Sequence, residues 1–132
     1  MSWYLIAQNA EAKEIDVKKL PKSCKGGDCY CAAGHYLMDH SMMGVGANLL
    51  LVHGEVTGQG GVAGIRFGHA GIEDGDTCID VSRGRNIQMP KVIYYAIGHI
   101  DEDKVFKYDY KALRRKVTET GHWGPWDLAT RY

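Results

Sequence analysis

The stretch Ile65–Ser82, IRFGHAGIEDGDTCIDVS, decides the reading of this chain. Two alternating runs flank Glu73-Asp74-Gly75-Asp76, and an Asp-Gly pair in that setting is the strongest short-range hairpin signal. With Asp74-Gly75 as a two-residue turn, opposed residue numbers sum to 149, so Ala70 faces Ile79 and His69 faces Asp80. Directly opposed side chains share a face with Cβ atoms ~5 Å apart. The register therefore sets an imidazole beside a carboxylate. Ala70, Ile72, Ile79 and Val81 form an apolar stripe on the other face. A bulged three-residue loop would shift the pairing by one and break the match.

Upstream, Leu49 to Thr57 alternates, with Leu50, Val52 and Val56 on one side and His53, Glu55 and Thr57 on the other. This predicts a strand with one wet face, ending at Gly58-Gln59-Gly60-Gly61. Asp28 stands where a helix N-cap would, and Ala33, Tyr36, Leu37 and His40 follow at helical spacing, so a helix opens at Cys29. Gly34 inside it costs about 1 kcal/mol relative to Ala. Lys18 to Asp28, with Pro21, Gly26 and Gly27, reads as a loop; Trp3 to Ala7 opens either a strand or a helix. Downstream of Pro90, Lys91 to Ile100 and Lys104 to Tyr110 read as two strands. A last helix, Lys111 to Thr120, stops at Gly121. The tail His122-Trp123-Gly124-Pro125-Trp126 is aromatic and expected to pack back on the domain. The order of elements is α+β: a Cys-bearing helix on an antiparallel sheet, then a C-terminal helix.

At 132 residues the chain has room for one domain, 1–132, with a real core. Sixteen Lys and Arg balance sixteen Asp and Glu, which removes the usual electrostatic argument for a nucleic-acid or anionic-membrane partner. No apolar run approaches the ~20 residues of a membrane helix, and Met1 to Asp16 lacks the pattern of a secretory signal, so the expected location is cytoplasmic. In a reducing compartment Cys24, Cys29, Cys31 and Cys78 are expected as thiols.

A cysteine at a helix N-terminus suits nucleophilic chemistry. The helix dipole favours thiolate, and the first-turn N–H groups can hold an oxyanion. It then needs a histidine within hydrogen-bond reach and a third group to orient that histidine. Cys29 supplies the first requirement and the His69/Asp80 pair the other two.

Here the order of residues resembles the papain-like cysteine hydrolase superfamily, in its compact NlpC/P60 and transglutaminase-like branches. Asp28-Cys29-Tyr30-Cys31-Ala32-Ala33 is similar to the motif in which the nucleophile opens the central helix. Gly68-His69-Ala70-Gly71-Ile72-Glu73-Asp74-Gly75 resembles the NlpC/P60 histidine strand and equally the transglutaminase-like His-Ala-x-x-Glu strand. The resemblance spans Asp28 to Ser82. It implies a papain-like core, with Cys29 as nucleophile, His69 as general base and acid, and Asp80 as orienter. The chemistry so implied is acyl transfer on an amide or peptide bond, with no cofactor and no metal. Tyr30-Cys31 departs from the usual Ser-Gly after the NlpC/P60 nucleophile. No residue stands in for the upstream Gln of the papain oxyanion hole; Gln59, Asn48 and, for substrate contact, His53 are the candidates.

Each of these residues has a plainer alternative. A lone Cys29 would be a buried structural thiol, and His69/Asp80 a structural pair. Cys31, roughly 200° round the helix from Cys29, is expected in the core. Cys78 shares His69's side of the hairpin, as a packing or redox-modulating thiol. Cys24, between Lys22 and Lys25, is the rival nucleophile. A different class of function is a zinc-binding or catalytically inactive interaction module, in which Cys24, Cys29, Cys31 and His35 or His40 would hold the metal. A transglutaminase-like acyl transferase is the nearer alternative. A Cys29/Cys31 redox pair lacks the two-residue spacing of thioredoxin-type motifs.

Overall fold

A computed structural model describes residues 13–17, 28–44, 48–57, 65–81 and 85–128. Among them run β1 (Lys13–Val17), α1 (Cys29–Met42), β2 (Leu49–Thr57), β3 (Arg66–Asp74), β4 (Thr77–Asp80), β5 (Arg85–Pro90), α2 (Lys91–Ile97), a short 3-10 turn (Glu102–Lys104), β6 (Phe106–Tyr108) and α3 (Tyr110–Thr120). The strands form one antiparallel sheet in the order β1-β5-β4-β3-β2-β6. The fold is α+β, as expected. No helix among the described residues is long and apolar enough to cross a membrane.

Helix α1 starts where the sequence places it. The Asp28 side chain accepts from the Cys31 N–H at 3.1 Å, an N-cap bond that satisfies one of the first-turn donors. Helix α3 is bounded in the same way, by the Asp109 carboxylate on the Ala112 N–H and by Gly121 at φ 75°.

Two helices cover one face of the sheet. There α1 and Leu113 of α3 pack on Leu49, Leu51, Ala70, Ile72, Ile79 and Val81. Gly34 lets the tail join this layer, because a Cβ there would stand 2.5 Å from the Trp123 ring. The second face holds Val56, Cys78, Ile87, Met89 and Tyr94, with Ile93, Tyr95 and Ile97 packed against them.

That second layer corrects the reading downstream of Pro90. Lys91–Ile97 is a helix, not a strand. Its β-branched and aromatic residues imitate a strand, but Tyr94 is buried while Val92 and Ala96, four apart, are exposed. Short apolar runs carry this ambiguity because length and periodicity do not separate the two states. Arg85–Pro90, which the sequence reading leaves unassigned, is the strand beside β4. Val52, Gly54 and Val56 of β2 are buried on the face that α2 covers; on the side expected to be wet His53 is buried, while the Glu55 side chain stays 42% exposed.

Covering the second face also buries Glu73, only 3% exposed. Its carboxylate accepts from the Tyr95 hydroxyl at 3.0 Å and pairs with Lys91 at 2.9 Å and Lys107 at 3.2 Å. Both lysines also pair with Glu102. Glu73→Ala is expected to cost about 1–3 kcal/mol in urea unfolding. The value stays below that of a fully buried pair because the lysines can turn toward water and Glu102.

Candidate active site

The hairpin forms with a different turn from the one expected. Gly75 and Asp76 make the turn, Gly75 at φ 60°, and the paired residues are Asp74–Thr77, Glu73–Cys78 and Ile72–Ile79. Opposed numbers sum to 151 rather than 149. Glycine at the first turn position is the arrangement of type II′ hairpins, whereas the Asp-Gly reading presumes type I′. A displacement of two residues along the partner strand preserves the face of every side chain. His69 and Asp80 are thus diagonal neighbours on one face instead of a directly opposed pair. Long side chains still meet at that spacing, and His69 Nε2 lies 2.9 Å from Asp80 Oδ2.

Asp80 is 1% exposed and His69 7%. A buried carboxylate accepts hydrogen bonds or loses its charge, and His69 is one donor to Asp80 Oδ2. Another is the Tyr94 hydroxyl of α2, at 2.8 Å. Gly71 makes room for it, since a Cβ there would meet Tyr94 Oη at 3.3 Å. The sequence reading missed Tyr94. Once Lys91–Ile97 is taken as a strand, nothing points that residue at the hairpin.

Cys29 opens α1, is 8% exposed and is a free thiol. Its sulfur lies near enough to the His69 ring for its charge to act on the imidazole. With Nε2 turned to Asp80, Nδ1 is the nitrogen left for sulfur. Burial by itself would lower the His69 pKa. The charges of Cys29 and Asp80, with the hydrogen bond from the ring to Asp80, outweigh it and raise the value to about 10. Asp28 takes the Cys31 N–H, which leaves the first-turn N–H groups of Cys29 and Tyr30 without intrahelical acceptors. The fold therefore brings Cys29, His69 and Asp80 together.

The other candidates lie elsewhere. Asn48 precedes β2, six positions from Gly54, the residue paired with His69; that is about 20 Å along the strand. Gln59 and Cys24 lie outside the described residues, as do residues 3–7 and the loop through residue 27. His53, expected on a wet face, is fully buried within about 5 Å of the rings of Tyr30, Tyr108 and Trp126. Neither of its ring nitrogens has a hydrogen-bond partner among the described residues. Burial lowers its pKa to about 4, with Asp127 opposing only in part.

His53 and His69 give opposite pH dependences. A histidine whose folded pKa is lowered costs stability as pH falls from about 6.5 towards 4, because the unfolded chain takes up the proton first. One whose folded pKa is raised contributes stability at low pH that is lost as pH rises from about 6.5 towards 10. His53→Phe is expected to flatten the acid limb, recovering about 2 kcal/mol at pH 5 in urea melts while leaving the alkaline limb in place.

Cys31 is a half-cystine rather than a core thiol. A disulfide belongs to an oxidising compartment more than to the cytosol, and it withdraws the Cys31 sulfur from the alternative zinc set. No group of three or more His, Cys, Asp or Glu able to hold a metal occurs among the described residues. Peptide mapping after alkylation of the unfolded chain without reductant is expected to recover Cys29 and Cys78 alkylated and Cys31 only in a cystine-linked peptide. A groove of about 300 Å³ runs along Glu55, Arg66, Asp101, Lys104, Phe106 and Asp127. Comparison with protein-family models, with curated proteins and with solved structures finds no match for this chain.

Proposed function

We propose that the protein is a thiol hydrolase with a papain-like core, cleaving an amide or peptide bond through Cys29, His69 and Asp80. The observation that carries this reading is a helix-opening cysteine beside a buried histidine that is itself hydrogen-bonded to a buried carboxylate. Nucleophile, base and orienter in that relation are the parts acyl transfer requires.

In the proposed cycle the Cys29 sulfur attacks the carbonyl carbon, and the Cys29 backbone N–H stabilises the oxyanion that forms. Collapse breaks the C–N bond while His69 Nδ1 passes its proton to the departing nitrogen. Water then enters, gives a proton to Nδ1 and attacks the thioester, which releases the acid and restores the thiolate–imidazolium pair. Asp80 holds Nε2–H throughout, so that Nδ1 stays toward sulfur.

An activated acyl donor such as a p-nitrophenyl ester tests this. A burst is expected, with the acyl group mapped by mass spectrometry to Cys29 and absent from Cys29→Ser. Turnover that is unchanged in Cys29→Ser would sink the reading. Adding a primary amine during turnover shows whether the acyl group passes to water or to an amine acceptor, as a transglutaminase-like enzyme would have it.

A further inference from the structure

We infer that Tyr94 is a positioning residue for this site: its hydroxyl shares Asp80 Oδ2 with His69 and moderates the carboxylate's hold on the imidazolium. The inference rests on the reading above for its catalytic meaning, although the geometry stands without it. Tyr94 Oη and His69 Nε2 approach the same oxygen, at 2.8 and 2.9 Å. All three side chains are buried, so water does not replace a lost donor. Tyr94 is supplied by α2, which also roofs Cys78 and Met89, and Gly71 keeps the space its hydroxyl occupies.

A hydrogen bond to an anion stabilises its charge. When His69 loses its proton, the Tyr94 hydroxyl still donates to Oδ2 and stabilises the carboxylate's charge. Tyr94 therefore favours the deprotonated ring relative to a site without it. Among the described residues, the titratable groups facing the pair are Cys29 from α1, Cys78 and Asp80 from β4, and Tyr94 itself from α2. Removing the hydroxyl is thus expected to make the imidazolium harder to deprotonate.

The experiment is an NMR titration of the His69 ring, assigned with His69→Ala, in wild type, Tyr94→Phe, Asp80→Asn and the double variant. Tyr94→Phe is expected to raise the His69 midpoint by about one pH unit, as loss of one charge-assisted hydrogen bond implies. In the Asp80→Asn background the same change is expected to have no effect, because the carboxylate that couples Tyr94 to His69 is gone. Chemical shifts of the other histidines report whether Tyr94→Phe keeps the fold, and Gly71→Ala, which crowds Oη while retaining it, is expected to shift the midpoint in the same direction. A midpoint that is unchanged or lowered in Tyr94→Phe, or an equal shift in the Asp80→Asn background, overturns the inference. Failure of the catalytic reading looks different: the cycle of variants holds, yet Cys29→Ser leaves turnover unaltered.

Discussion

His69→Ala is expected to slow alkylation of Cys29 by a small haloacetamide at pH 6 about 100-fold. The thiolate is the reacting species, and an isolated thiol near pKa 8.5 is roughly 0.3% ionised at that pH. In the proposed reading His69 takes the sulfur's proton, so removing the ring takes away that base. Cys78 is the internal control: burial first, then the Glu73 charge, push its thiol up to about 12, and it should stay unlabelled in both proteins. The measurement is alkylation rate against pH, resolved by peptide mapping. Equal rates at Cys29 in wild type and variant at pH 6 would show that His69 does not activate the sulfur.

The second large effect is one of stability, at Gly34. Helix propensity alone favours Gly34→Ala by about 1 kcal/mol. The structure reverses the sign. A Cβ at this position would lie 2.5 Å from one Trp123 ring carbon and 3.0 Å from another, closer than carbon atoms approach without displacement. Trp123 also packs on the His35 ring at 4.1 Å between centroids. It leads into the segment whose Trp126 lies against His53 and Tyr108 and whose Asp127 accepts from the Tyr108 hydroxyl at 2.6 Å. Moving Trp123 therefore disturbs the cover over α1. Net destabilisation of about 1–3 kcal/mol is expected from overpacking, read as a lower urea midpoint. The paired variant Gly34→Ala with Trp123→Ala should recover part of the propensity gain, and a stabilised single variant would contradict the packing argument.

Local signals in this chain are reliable where the decisive physics is local. Asp28 and Asp109 cap the helices they precede because a side-chain acceptor three residues from an orphan N–H needs no tertiary help. Leu49–Thr57 and the hairpin were legible from alternation, and the placement of His69 and Asp80 on one face survived a wrong turn because side-chain direction depends only on parity. Cys29, His69 and Asp80 could therefore be nominated from residue types and spacing alone.

What sequence could not decide lies wherever one layer's cover determines another layer's state. Lys91–Ile97 is a helix because Tyr94 and its neighbours bury on the second face of the sheet; its intrinsic preferences point to a strand. That single choice buries Glu73 and delivers the Tyr94 hydroxyl to Asp80. His53 is enclosed by Tyr30 from α1, Tyr108 from β6 and Trp126 from the tail, segments up to 96 residues apart in sequence. By itself the sequence determined the caps and the periodicities, because these depend on neighbours a few residues away, and from them it nominated Cys29, His69 and Asp80. Tertiary structure alone decided which faces are dry and that the Tyr94 hydroxyl reaches Asp80, because burial and hydrogen-bond satisfaction belong to the packed layers and not to any one segment.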